Sequence, residues 1–280
     1  MSKTWFITGA TRGLGADIAA AALKAGHRVV ATGRQRAAVS DRLGPDHDRL
    51  LALPLDVTDA TQSAAAVAAA TGRFGTIDVL VNNAGYGHIG HFEESSPADI
   101  EAQFATNVFG LFKVTRAVLP AMRAARRGHV FNLSSSAGIR GLEGASLYCA
   151  SKFAVEGFSE SLALELAPFG VHVTLVEPGP FRTDFLTPES LRFGTAEVAD
   201  YADRRAAVRA SFEQRNGTQP GDPVRLAEAI VRLSGEAAPP LRFVGGAMAV
   251  AAMEDKIASL KTELDRWREL GVSTDFPAGE

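Results

Sequence analysis

The sequence predicts an α/β fold: one domain built on a doubly wound sheet of about seven parallel strands, with helices on both faces. Three observations predict it. Short β-rich runs alternate with long helical runs over most of the chain, the rhythm of parallel strands joined by helical crossovers. Those short runs are mostly continuously apolar, as strands buried on both faces must be. The first of them ends in a glycine-rich turn that opens directly into a helix.

Strands are expected at Thr4 to Thr8, Arg28 to Thr32, Leu50 to Pro54, Asp78 to Val81, His129 to Leu133, Val171 to Val176 and Leu241 to Val244. Helices are expected from about Gly13 to Ala25 and from about Ala60 to Ala70, where the biased SAAAVAAA tract favours helix because alanine is the best helix former. A longer helix is opened by Ser96, Pro97 and Asp99, which supply an N-cap hydroxyl, a proline at the first helical position and an acid at the third. Phe153, Phe158, Leu162 and Leu166 mark another. From about 184 to 220 the rhythm lapses into a segment holding Pro188, Gly194, Gly217 and Pro220, too long for a plain connection. It reads as a substrate lid, with Gly194 and Gly217 as hinges and Phe185, Leu186, Leu191, Phe193, Tyr201 and Phe212 offering apolar contacts. The alternative is that these residues complete the core. A C-terminal helical extension at about 248 to 270 carries Met253, Ile257, Leu260, Leu264 and Trp267 at heptad spacing; the run is short for a coiled coil and is expected to pack on the parent domain. No repeat or charge block marks a boundary, so 1–280 reads as a single domain.

Composition excludes several function classes. The chain has 280 residues, 46% hydrophobic and 22% charged, which fits a soluble globular protein and not a collagenous, disordered or membrane-spanning one. Twenty-nine Lys and Arg against thirty-two Asp and Glu leave a formal charge of −3, so no basic footprint for nucleic acid exists. A lone cysteine, Cys149, excludes an intrachain disulfide framework and suits a reducing compartment. The start MSKTWFITGA meets a glycine before a signal-length apolar core can form, so a cytoplasmic address without membrane attachment is expected.

The turn Thr8 Gly9 Ala10 Thr11 Arg12 Gly13 Leu14 Gly15 joins the first strand to the first helix. Glycine removes the Cβ that would hold a pyrophosphate away from the backbone, and the helix N-terminus offers free amides with partial positive charge. The spacing departs from GxGxxG, so a purely structural corner stays as the alternative. After the second strand the chain reads Thr32 Gly33 Arg34, where a preference for NAD would place an acid on the ribose hydroxyls. Arg34 offers a planar fork to a 2′-phosphate and Arg12 a second positive group, which predicts NADP(H) over NAD(H); solvated surface arginines are the alternative. Asp56, beside Val57, is placed either to accept from an adenine amino group or to cap the next helix.

Tyr148 and Lys152 lie four apart and share a helix face. A neighbouring ammonium favours phenolate, which is expected to lower the Tyr148 pKa. Ser135 falls in the loop after the strand ending Asn132 Leu133, at the end of the sheet where doubly wound folds place ligands. A Tyr-x-x-x-Lys spacing alone is ordinary helix surface, and its meaning comes from the company it keeps.

Thr8 to Gly15, Asn82 Asn83 Ala84 Gly85, Asn107, Ser134 Ser135, Tyr148 with Lys152, and Pro178 Gly179 occur in an order and spacing that resembles the short-chain dehydrogenases/reductases, over roughly residues 4 to 185. The resemblance implies a Rossmann-type fold and an NADP-dependent oxidoreductase interconverting a hydrophobic carbonyl compound and its alcohol. It implies a cofactor site made by Gly9, Thr11, Arg12, Gly13, Leu14, Gly15, Arg34, Asp56, Val57, Asn83, Ala84, Gly85, Tyr148, Lys152, Pro178, Gly179, Phe181 and Thr183, with Asn82 helping to shape its floor. In that family Ser135 would hold the substrate oxygen, Tyr148 would exchange its proton, Lys152 would lower the phenol pKa and hold the nicotinamide ribose, and Asn107 would hold a relay water. Val176 Glu177 Pro178 Gly179 Pro180 Phe181 Arg182 Thr183 is most similar to hydroxysteroid- and retinol-dehydrogenase-like members. A homodimer or homotetramer is expected through the helices carrying Phe104, Val108, Leu111, Phe112, Val114 and Val118 and carrying Phe153, Phe158, Leu162 and Leu164.

No metal is expected. His88 and His91 form an H-x-x-H pair without a third ligand and read as lining the substrate mouth or facing solvent. Cys149 has no arranged base and reads as buried filler rather than nucleophile. Two other functions share these motifs: a non-catalytic NADP(H)-binding sensor, and a nucleotide-sugar epimerase or dehydratase. The intact Ser135, Tyr148 and Lys152 favour an enzyme over the first, and Asn82 to Gly85 with the glycine spacing favour the shorter branch over the second.

Overall fold

The computed structural model describes residues 2–276. Seven parallel strands form the main sheet: β1 (Thr4–Ile7), β2 (Arg28–Gly33), β3 (Leu50–Pro54), β4 (Val79–Asn82), β6 (Gly128–Leu133), β7 (Val171–Pro178) and β9 (Arg242–Gly245), in the order β3-β2-β1-β4-β6-β7-β9. Every strand expected from sequence is present. The order reverses between β1 and β4, which opens a crevice above the carboxyl ends of the strands. A separate two-stranded sheet pairs β5 (Gly87–Ile89) with β8 (Leu191–Phe193).

Continuous apolar runs follow from burial on both faces. Trp5 and Ile7 point into one core, packed by Ile18, Ala19 and Ala22 of α1 (Gly13–Lys24) and by Leu226, Ala227 and Ile230 of α8 (Pro223–Leu233). Phe6 between them points into the other, against α3 (Ala60–Phe74), α5 (Leu111–Ala125) and α6 (Ser146–Leu166).

The helix opened by Ser96 begins as expected: Ser96 Oγ accepts from the Asp99 amide at 3.2 Å and Asp99 returns the bond to the Ser96 amide at 2.9 Å. It is not continuous. α4 (Pro97–Phe104) widens into a π-helical segment, Ala105–Gly110, before α5 resumes. The extra residue rotates Asn107 inward, a change invisible to an apolar pattern.

Segment 184–220 corrects the expectation of lapsed structure. It contains β8 and α7 (Ala202–Arg215), held down by Arg205 on the buried carboxylate of Glu94 and by Tyr201, whose hydroxyl donates to Glu93 at 2.7 Å. Burial opposes the Glu94 charge, but hydrogen bonds from Arg205 and His91 hold its carboxyl below the ordinary range. Gly194 packs closely on the Glu94 backbone, where an added Cβ would lie 2.6 Å from the Glu94 carbonyl oxygen. The C-terminal helix α9 (Ala247–Val272) is a partial correction: its first two turns pack on the domain through Ala249 and Ala252, with Met253 half-buried, whereas from Ile257 onward the helix is exposed and leaves the domain.

His129 in β6 is buried, stacked 3.9 Å from Phe131, with Nε2 2.9 Å from Thr174 Oγ1. Burial pushes its pKa down to about 3 from 6.5. The unfolded chain protonates this imidazole below its ordinary value while the folded chain does not, so stability is lost as pH falls from 6.5 toward 3. His129→Phe should flatten urea-unfolding stability against pH over that window, removing a slope approaching ~1.4 kcal/mol per pH unit. An unchanged slope would contradict this.

Candidate active site

The crevice is a cleft of roughly 350 Å³. One half is the turn between β1 and α1. Gly9 has φ +67°, and a Cβ there would lie 2.9 Å from the Ala84 Cα, so only glycine lets the two turns approach. Thr8 Oγ1 accepts from the amides of Asn83 and Ala84, each at 3.0 Å, and Asn83 Nδ2 donates to the carbonyls of Thr8 and Gly9 at 3.0 Å each. No side chain caps α1, which leaves its first amides facing the cleft for an anion. These groups fit the pyrophosphate of a dinucleotide.

Gly9, Thr11, Arg12, Gly13, Leu14, Arg34, Asp56, Val57, Ala84, Gly85, Asn83, Pro178, Gly179, Phe181 and Thr183 all line the cleft. Gly15 does not; it packs behind the turn on Asn83. Asn82 also stays out, buried in a chain of amides where its Nδ2 donates to Thr115 Oγ1 and Asn132 Oδ1 at 2.8 Å each. Arg34 is exposed and, among the described residues, makes no side-chain hydrogen bond or ion pair. Arg12 is committed elsewhere: Nη2 donates to Ser190 Oγ at 2.9 Å and to the Glu189 carbonyl at 2.8 Å, strapping segment 184–190 across the cleft. Asp56 caps no helix. Its Oδ1 closes a turn with the Thr58 amide and hydroxyl at 2.9 and 2.7 Å, while Asp59 caps α3.

Ser135, Tyr148 and Lys152 line the other half together. Ser135 follows β6, and its Oγ accepts from the Ala137 amide at 3.1 Å. Helix α6 presents Tyr148 and Lys152 one turn apart, with the ammonium 5.8 Å from the phenol ring centre and donating to the Leu133 carbonyl at 2.7 Å. The expected lowering of the phenol pKa is corrected. Burial dominates and pushes Tyr148 up to about 12, partly offset by the nearby Ser135 hydroxyl, so the phenol keeps its proton at neutral pH. Burial likewise pushes Lys152 down to about 8, against the charge of Glu156 one turn on. Below that buried lysine, Arg242 of β9 ties together Glu156, Glu160 and Glu177, anchoring α6 to β7.

Asn107 does not line the cleft. It is buried, its Oδ1 accepting from the Tyr86 amide at 3.1 Å and its Nδ2 donating to Ser151 Oγ at 3.2 Å and the Tyr86 carbonyl at 2.9 Å. Tyr86 itself lines the cleft, under the Arg192 guanidinium at 4.4 Å; both went unread because the contact joins β8 to the turn after β4. Gln219, buried and lining the cleft with neither amide atom hydrogen-bonded, was also unread. No local pattern announces it.

On the substrate side, Phe185 and Leu186 line the cleft, and the Phe185 ring lies 5.7 Å from Tyr148. Phe193 and Phe212 instead join Leu191, Ala145 and Cys149 in a small core, with Arg209 4.4 Å over the Phe193 ring. Core completion thus accounts for part of the segment and cleft lining for the rest. Cys149 is buried, and burial raises its thiol pKa. His88 and His91 neither line the cleft nor face solvent: His88 Nε2 lies 3.0 Å from Ser95 Oγ, and His91 stacks on Tyr201 at 4.4 Å. Among the described residues no cluster of three metal-ligating side chains exists, and no helix is long and apolar enough to cross a membrane.

The sequence profile of the family described as short chain dehydrogenase matches residues 3–192. Oxidoreductase BOA17 of Botryotinia fuckeliana is 38% identical over 98% of this chain and 100% of its own length. The 3-ketodihydrosphingosine reductase of Bacteroides thetaiotaomicron is 39% identical over 84% of this chain and 85% of its own. Bovine (Bos taurus) retinol dehydrogenase 8 is 35% identical over 86% of this chain and 80% of its own. Among solved structures, a short-chain dehydrogenase from Streptomyces avermitilis superposes with a TM-score of 0.91 at 39% identity, covering 99% of this chain and 100% of that one. A Brucella melitensis 3-ketoacyl-(acyl-carrier-protein) reductase complexed with NADH superposes at 0.71 with 29% identity, covering 86% and 94%. ElxO with NADP bound superposes at 0.72 with 26% identity, covering 89% and 100%.

Proposed function

The chain belongs to the short-chain dehydrogenase/reductase family, in its retinol-dehydrogenase-like branch, and from that premise we propose that it interconverts an apolar carbonyl compound and its alcohol with NADP(H), using Tyr148 as the acid and base. The single observation that carries this reading is the convergence of Ser135, Tyr148 and Lys152 on one cleft with the glycine turn. When bound, the nicotinamide supplies or accepts the hydride. Ser135 donates to the carbonyl oxygen and orients it toward the phenol. Tyr148, kept protonated by burial, gives its proton to the oxygen as negative charge develops there. The Lys152 ammonium then stabilises the phenolate left behind, and its neighbourhood to the Leu133 carbonyl fixes where that charge sits. Asn107 acts as a positioning residue that holds the Tyr86 backbone against α6 through Ser151.

Because Lys152 titrates near 8, the reductive rate should stay level below that value and fall as pH rises through it, when the ammonium is lost. A rate profile level to pH 9.5 would contradict the assignment. Phe185 and Leu186 support an apolar substrate, as do the relatives named for retinol and 3-ketodihydrosphingosine. Phe185→Ala should raise KM for bulky apolar carbonyls more than for small polar ones, because uniform binding is lost, whereas Phe193→Ala should not. Equal effects of Phe185→Ala on both substrate classes would count against this pocket.

An NADPH-consumption screen over apolar ketones, aldehydes, quinones and steroid-like carbonyls tests the function as a whole. Turnover of none of them, with cofactor still bound, is the outcome expected of a sensor. Of the residues expected at a subunit interface, Val108, Leu111, Val114, Val118 and Leu162 are buried within the single chain, so the homo-oligomer is supported only by the exposed Phe153 and Leu164, with Phe109 beside them, at 45%, 78% and 51% exposure.

A further inference from the structure

Beyond its first two turns, α9 carries an apolar stripe that none of the described residues covers. Ile257, Leu260, Leu264 and Trp267 are 59%, 51%, 58% and 56% exposed. With Val250 and Met253 before them they recur at alternating spacings of three and four, which places all six on one face of the helix. The stripe runs about 27 Å at 1.5 Å per residue. A seam this regular is the surface of one helix prepared for another.

We propose that α9 pairs antiparallel with α9 of a second copy of this chain. The charges beside the seam select both the partner and the register. Glu254 and Lys261 flank it on one side, Lys256 and Glu263 on the other. With the two-fold axis between residues 258 and 259, Ile257 meets Leu260 of the second copy, Met253 meets Leu264 and Val250 meets Trp267. In that register Glu254 faces Lys261 of the second copy and Lys256 faces Glu263. Symmetry repeats each pair, so all four contacts are attractive. A parallel pair instead sets Lys256 beside Lys261 of the second copy, a repulsion that Glu263 beside Arg268 only offsets, whereas the antiparallel register is attractive at every flanking charge pair. Lys261 also reaches Asp265 on its own helix, an exposed contact of little worth that a second carboxylate can share. From Glu254 to Glu269 the helix has four cations against five carboxylates, so its polar face lacks the basic character that draws an amphipathic helix to an anionic membrane.

This interface is separate from the faces of α5 and α6, and the two are distinguishable. Glu254→Cys and Lys261→Cys, placed in separate, differently tagged chains and co-expressed, should give a covalent dimer on mild oxidation, and neither variant should cross-link with itself. The two positions are seven residues apart, too far for a disulfide within one helix. Ile257→Asp with Leu264→Asp should halve the mass in light scattering while melting temperature and NADPH binding stay unchanged, since both side chains are exposed in the single chain. Absence of the mixed cross-link, self-cross-linking of either variant, or an unchanged mass would each overturn the pairing. So would binding of the wild type to phosphatidylcholine and phosphatidylglycerol vesicles that the double variant loses with no change in mass.

Discussion

Tyr148→Phe should lower carbonyl reduction by about 100- to 10,000-fold, the range that a positioned proton donor contributes, and leave cofactor affinity and melting temperature in place. The ring survives the change, so its packing beside Phe185, Ala137 and Cys149 is kept and only the hydroxyl is lost. Transient kinetics with NADPH and an apolar ketone measure it. A loss below tenfold would move the acid to another group or to water, and a matching fall in melting temperature would mean that the hydroxyl is structural.

Arg34→Ala should weaken NADPH binding on the order of 10- to 150-fold and leave NADH binding nearly unchanged, the loss expected for one charge-assisted hydrogen bond of about 1.5 to 3 kcal/mol. The loss is expected at Arg34 and not at Arg12, because Arg12 already donates to Ser190 and to the Glu189 carbonyl. An acid at the end of β2, which would favour the ribose hydroxyls of NADH, meets a crowded site here. A Cβ on Gly33 would lie 2.4 Å from the Thr11 methyl and 3.2 Å from Val39, so Gly33→Asp requires the Thr11 side chain to shift. Isothermal titration with both cofactors tests the prediction. Equal wild-type affinities, or equal losses in Arg34→Ala, would contradict it.

The sheet was legible because a strand covered on both faces must be apolar throughout, and Trp5, Phe6 and Ile7 show that rule from both sides. The residues converging on the cleft were legible for a related reason: β1, β4 and β6 are neighbours at the switch point, so their following turns meet. Features set by contacts between distant segments were not. The Arg12 strap depends on a loop 178 residues away, and the placement of Arg192 beside Tyr86 depends on β8 pairing with β5. The phenol pKa was misjudged for a physical reason of the same kind. Spacing in a helix reveals a neighbouring ammonium, whereas the burial that raises the phenol pKa depends on tertiary packing such as the Phe185 ring 5.7 Å away. In α9 the heptad spacing was read correctly and its surface was not, since periodicity reports that a face is apolar and not what covers it.

The most direct measurement of the central claim is isotope transfer from NADPH carrying deuterium at the nicotinamide C4, with an apolar ketone as acceptor and the product alcohol read by mass spectrometry. Wild-type protein should place one deuterium per turnover on the former carbonyl carbon, from only one of the two C4 faces, and Tyr148→Phe should do so at a rate lower by at least a hundredfold. Cofactor binding without deuterium in the alcohol, across ketones that fit between Phe185 and Tyr148, would contradict it.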